Sequence, residues 1–409
     1  MRAASPSPDP ALARGVGVYL AGVQFLFALC WVVYAAYLPQ LVGQLGFRGE
    51  EARIVPWILV IDQIVFIVSD LVVGAWSDRA ARVLSRLSSW MLAATVISGL
   101  AFALLPLAAA GASPAAFAAL TLVWAVTSAA LRAPPLTLLG RYVARPSQPA
   151  LVALLALGLG LCNAAAPYLA LQLKGVDPRV PFLLSALVLA AVTLGMRRAE
   201  RSLAARAAGG APGAPEHPAT LADGRARVVL ASCLVAAAAF QAHVFLASPA
   251  LYRQHVDAAA LPAWLPLFWV GFNLALWPAA RWARRAPAPR MLAGGAAGAA
   301  LAVAGAHLSP GLAALALAQL AAGAAWAVTL CAAFTTALAL GRSGREGLLN
   351  GSLQAVLAAG ALARVLIVAL LAPAGSAVLA WSGTVALAFG IAAGLMAWGL
   401  RRLPGWPAP

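Results

Sequence analysis

Charge is what this chain of 409 residues has least of: charged side chains make up 10% of it, against 63% hydrophobic ones. Soluble domains carry about a quarter charged residues, so a solvated surface enclosing this chain cannot be built. A mean hydropathy of +0.89 moves it into a bilayer. Acidic residues are the scarcest, with 12 Asp and Glu against 28 Lys and Arg, and Lys174 is the sole lysine. Arginine in place of lysine, beside abundant alanine, fits a GC-rich bacterial source. Cysteine is limited to Cys30, Cys162, Cys233 and Cys331, all inside apolar stretches, where thiols behave as small hydrophobes. Neither a disulfide nor a metal site is expected. No His/Cys/Asp cluster with metal spacing, serine elbow, phosphate-cradling glycine loop or pair of catalytic acids is found. Enzyme chemistry and a cofactor are therefore not expected.

What the chain has is long apolar runs. A spanning helix needs about 20 apolar residues, and barrel strands, which would alternate in polarity, are excluded by runs that are apolar throughout. The runs cover 15–41, 54–76, 88–110, 115–140, 149–173, 180–197, 227–251, 261–281, 291–308, 311–340, 348–372 and 377–400. The sequence thus predicts an all-α membrane protein with twelve transmembrane helices. Basic residues test the count. With twelve spans, 21 of the 28 Lys and Arg fall on the side of both termini and 5 on the other. One missed helix would scramble that asymmetry, and the positive-inside rule makes the richer side cytoplasmic. The net charge of +16 is thereby assigned to topology rather than to nucleic acid. The polar N-terminus is expected to be retained.

The longest loop, 198–226, is rich in Ala, Gly, Pro and charge and reads as a flexible cytoplasmic linker. It separates residues 15–197 from 227–400, two six-helix bundles with tails at 1–14 and 401–409. Gly140-Arg141 before the fifth run and Gly341-Arg342 before the eleventh give a faint two-fold echo, as expected of pseudo-symmetric halves.

Ionisable residues inside spans are costly and mark function by default. There are four: Asp62 and Asp70 in the second run, Arg132 in the fourth and Arg364 in the eleventh. With Phe66 between them, Asp62 and Asp70 share one broad face of the second helix. Depth counting sets Asp62 level with Arg364, and Asp70 level with Arg132. Two opposite-charge pairs are expected, each either structural or part of the transport chemistry. Asn350, Gln354 and Arg364 make a polar stripe on the eleventh helix. Gln24, Asn163, Gln241, His243, Asn273 and Gln319 are further cavity-lining candidates, for which interhelical hydrogen bonding is the simpler account.

Between the second and third runs stands Gly74-Ala-Trp-Ser-Asp78-Arg79-Ala-Ala-Arg82. This resembles the G-x-x-x-D-R-x-x-R signature of the major facilitator superfamily. The resemblance implies two bundles rocking about a midplane site, with Gly74, Asp78, Arg79 and Arg82 as a cytoplasmic latch, and Arg132 near that latch or in proton transfer. The equivalent loop of the second half, Pro278 to Arg285, has no acid. The segment Ser69-Asp70 through Arg79 is also similar to the glycoside–cation symporters, which implies a coupling-cation role for Asp70. The acid usually found a turn earlier is Phe66 here.

Together these features predict a secondary transporter for a small solute, proton-coupled or facilitative, working by alternating access in a bacterial inner membrane. A monomer is expected, with the lipid bilayer, the solute and protons as its partners. An exporter of amphipathic compounds, or a non-transporting assembly factor or sensor on the same scaffold, are the alternatives.

Overall fold

A computed structural model describes residues 10–83, 87–132, 134–136, 143, 147–195, 198, 201, 220–341, 344–371 and 383–407. The described residues form helices and no strand. In hydrocarbon, a backbone must satisfy its own hydrogen bonds, and apolar runs of this length do so as helices. The long helices are α1 (Pro10–Gln44), α2 (Glu51–Val83), α3 (Leu87–Ala110), α4 (Pro114–Ser128), α5 (Gln148–Gln172) and α6 (Arg179–Thr193). After the linker come α7 (Gly224–Ala242), α8 (Leu267–Ala283), α9 (Ala288–His307), α10 (Leu312–Leu340), α11 (Glu346–Leu371) and α12 (Thr384–Arg402).

Ten described helical segments are long and apolar enough to cross a membrane. The other two long helices are α6, with 15 residues, and α9, whose many Ala and Gly dilute its hydropathy. Small residues suit α9 to close packing instead: a Cβ on its Gly295 would stand 2.6 Å from Thr329 Oγ1 of α10.

Local sequence sets the helix ends. Ser113 caps α4, its Oγ accepting from Ala116 N at 3.4 Å, and Asp223 caps α7, Oδ1 accepting from Arg225 N at 2.8 Å. The fourth run was expected to stay helical to 140. In the structure α4 ends at Ser128, tightens into a 3-10 turn over Ala129–Leu131, and hands on to Arg132. Pro134-Pro135 lie just beyond, and proline removes an N–H donor and disfavours helical geometry before it. Arg132 therefore lies at a break in its helix, with helical geometry present again over 134–136. A second irregularity interrupts α7, which widens into a π turn over His243–Ala247 before resuming at Ser248–Tyr252. Pro249 has no N–H to return to the preceding turn, and π turns relieve that kind of defect.

Helices α1 and α5 pack together, as do α3 with α4 and α6. In the second half α10 packs on α8 and α9, and α12 packs on α7 and α9. Across the two sets, α2 runs along α11 and α5 along α8. One apolar cluster extends from Val16 to Met396 and so joins both sets. Most of the interior of the 198–226 linker falls outside the described residues, and α7 already begins at Gly224.

Candidate functional site

The tightest junction between the two sets is where α2 meets the start of α11. Asp78 is buried on α2, and its two carboxylate oxygens accept from Gly347 N at 2.7 Å and Leu348 N at 2.8 Å. These are first-turn amides of α11, without a partner inside their own helix. They carry the positive end of the helix dipole, so a carboxylate is the natural cap. Glycines allow the approach: a Cβ on Gly74 would lie 2.5 Å from Gly347 O, and one on Gly351 would lie 2.4 Å from Asp70 O. Ser77 Oγ also donates to Gly74 O at 2.8 Å. Arg79 is exposed, and the Arg82 side chain lies outside the described residues. Sequence reasoning found Gly74 and Asp78 but missed their counterpart. The Gly347-x-x-x-Gly351 spacing on α11, a small-residue motif of close helix pairs, was the available signal.

One to three turns from the latch along α2 lie the buried acids. Asp70 Oδ2 stands 3.1 Å from Arg132 Nη2, so this pair is formed. Neither Asp70 oxygen takes a well-aligned hydrogen bond, which makes the contact chiefly coulombic. The Arg132 guanidinium also lies 4.8 Å from the centre of the Phe66 ring. Phe66 is buried in a small cluster with Ala125 and Ala358, bringing α2, α4 and α11 together.

The second expected pair is not formed. Asp62, 2% exposed, accepts from Tyr34 Oη at 2.9 Å and has no ion pair among the described residues. Arg364 has neither an ion pair nor a hydrogen bond among the described residues, and its guanidinium lies 4.7 Å over the Phe245 ring. Depth counting located both charges but took no account of aromatic neighbours: Tyr34 supplies Asp62 with a hydrogen bond, whereas Phe245 covers one face of the Arg364 guanidinium. Tyr34 belongs to an aromatic group in which Trp31 and Trp124 stack at 5.6 Å and Tyr34 meets Trp124 at 4.7 Å. Neither Tyr34 nor Phe245 was singled out, because aromatic residues in apolar runs look like core.

The remaining candidates separate into several environments. Gln24 Nε2 donates to Leu131 O at 2.6 Å, holding the 3-10 turn beside Arg132. Asn163 and Asn350 donate within their own helices, to Leu159 O at 2.9 Å and Glu346 O at 2.7 Å. Gln354 is half-buried. His243 and Gln319 are brought together, His243 Nε2 lying 3.0 Å from Gln319 Oε1, with the His307 ring centred 6.5 Å away. Gln241 Oε1 and Asn273 Oδ1 are buried without a hydrogen-bond partner. Asn273 faces α5, where a Cβ on Gly160 would stand 2.2 Å from its Oδ1. The polar residues thus mark the contacts between helices rather than one ring of ligands.

These features define a multi-pass helical membrane protein whose two sets of helices are joined by a carboxylate-capped helix terminus. The chain belongs to the major facilitator superfamily, whose family model matches residues 20–363. No curated protein sequence matches it. Solved structures share the fold at low identity. The human organic anion transporter TETRAN is 16% identical, with 95% of this chain and 100% of that one covered, at a TM-score of 0.73. A bacterial homologue of the iron transporter ferroportin, in an outward-facing state, is 15% identical over 95% of this chain and 100% of its own, at 0.74. A variant of the E. coli fucose–proton symporter is 14% identical over 93% and 98%, at 0.65.

Proposed function

We propose that the chain is a secondary transporter that carries a small solute across a bacterial inner membrane by alternating access. In this reading twelve helices, α6 and α9 included, form two six-helix bundles with both termini in the cytoplasm. The observation that carries it is the Asp78 clamp on Gly347 and Leu348. Two charge-assisted hydrogen bonds and a glycine seam hold α2 to α11 at the end that carries Asp78. A device of that kind suits a closure that opens and re-forms, and it is the cytoplasmic latch of an outward-facing arrangement. Arg79 and Arg82, with the other basic residues of that end, hold it at the anionic cytoplasmic face.

Proton coupling falls to Asp62. It is buried with a single hydrogen-bond donor, Tyr34, and no cation beside it, so it can exchange a proton without breaking an ion pair. Asp70, already paired with Arg132, serves as a positioning residue for the α2–α4 contact. The solutes of the structural neighbours differ from one another, so none is transferred. The half-buried Trp31, backed by the buried rings of Trp124 and Phe66, favours a solute with an apolar portion, which keeps amphipathic export as the second reading. Proteoliposomes with an imposed pH gradient test the proposal. Solute accumulation should follow the gradient and collapse when an ionophore dissipates it. Uptake that ignores the gradient would leave a facilitator, and no flux of any solute would favour a non-transporting scaffold.

A further inference from the structure

Counting charge inside the described spans leaves one group unaccounted for. Asp70 and Arg132 cancel each other at 3.1 Å. Asp62 has the Tyr34 hydroxyl at 2.9 Å. Among the described residues Arg364 has no hydrogen-bond or ion-pair partner, and its Nε is sealed from solvent without a hydrogen bond. A guanidinium does not shed its charge in a protein, so it stays a cation in a low-dielectric setting where unpaired charge is unfavourable. The Phe245 ring at 4.7 Å covers one face only. It leaves the in-plane fork of donors free, and that fork matches the two oxygens of a carboxylate.

We infer that Arg364 is the substrate contact, and that the solute carried is a small organic anion with a carboxylate-type group held by the Arg364 fork against Phe245. This deepens the transporter reading and rests on it. Three further features support the site. Arg364 stands on α11, about five turns from the latch amides of the same helix, so a ligand there bears on the element that opens and closes. Phe245 lies in the π turn of α7, a local widening of the helix that functional sites often use. Phe66 meets Ala358, which in antiparallel packing sets Asp62 of α2 close to the level of Arg364. Asp62 is then the natural competitor for the fork, and a solute carboxylate substitutes for it.

A lipid phosphate offers a similar oxygen pair, and depth argues against it. Arg364 is about 10 Å from Leu371, the last described helical residue, farther than its side chain reaches. The experiment is thermal unfolding of the purified full chain with acetate, benzoate and octanoate, each beside its neutral amide. The assay is run in detergent and in nanodiscs with and without phosphatidylglycerol. The carboxylates should raise Tm with the logarithm of concentration and the amides should not. Arg364→Gln should abolish the response, Arg364→Lys should weaken it about tenfold or more in apparent Kd, and Asp62→Asn should keep or tighten it. Equal responses to acid and amide, or none to any carboxylate, would overturn the inference. So would a response that survives Arg364→Gln, or one replaced by dependence on phosphatidylglycerol alone. Because Arg364→Lys and Asp62→Asn retain the cation, a misfolded Arg364→Gln protein leaves the test intact. Binding without flux in liposomes would sink the transporter reading and leave the anion site standing. Gradient-driven flux of neutral solutes without carboxylate binding would do the reverse.

Discussion

Asp78 shows how one side chain can couple two halves of a membrane protein. Its carboxylate satisfies two backbone donors that lipid could not satisfy, and hydrogen bonds to a charged group contribute about 1.5–3 kcal/mol each. Removing both should move the balance between the closed and open latch by about a hundredfold or more. Asp78→Ala is therefore expected to expose residues buried beside the latch, while Asp78→Asn, keeping one acceptor, has a smaller effect. Labelling of a cysteine introduced at Leu340, 6% exposed in this arrangement, with an impermeant maleimide in inside-out vesicles reports the change. Unchanged labelling would make Asp78 a packing residue and nothing more.

Helices α2 and α11 illustrate what can be read from sequence and what cannot. Charge within apolar runs is legible because lipid makes it conspicuous, so Asp62, Asp70, Arg132 and Arg364 stood out. The acid half of the latch was legible as a motif. Its donor half was not, because Gly347 and Leu348 contribute only backbone N–H groups, which every residue but proline carries. Tyr34 and Phe245 were invisible for a related reason: their role depends on which helices touch, and apolar runs do not encode that pairing. The close approach itself can be tested. Gly351→Val would drive a side chain into Asp70 O, 2.4 Å from the ideal Cβ, and that backbone cannot yield without separating the helices. Such overpacking costs about 1–3 kcal/mol. We expect a lower Tm together with Leu340-site labelling like that of Asp78→Ala. Gly294→Ala, whose Cβ would meet nothing within 4 Å, should change neither. A lower Tm with normal labelling would separate the glycine seam from the closing motion.

At the scale of the whole molecule, a transporter needs contacts that exist in one state and not in the other. In the proposed cycle the Asp78 clamp supplies one for its end of α2. Asp62 and Arg364 are placed to supply another for the opposite end: their helices pack along one another, yet each charge is held by its own aromatic neighbour. Closing that end would bring the two charges together if Asp62 is ionised and no anion occupies Arg364. Breaking a buried pair by removing one partner commonly costs 3–5 kcal/mol or so, and only the state in which the pair exists bears that cost. Asp62→Asn and Arg364→Gln should therefore both favour the arrangement described here, with the latch closed. The charge-swapped double variant, with Arg at 62 and Asp at 364, should restore part of the balance. Labelling of the Leu340-site cysteine, 6% exposed while the latch is closed, distinguishes the outcomes. It should fall in both single variants and recover in the swap. Singles that lose thermal stability with no change in labelling would show that these charges only hold helices in place, and Asp62 would then stand as a proton site without a gate.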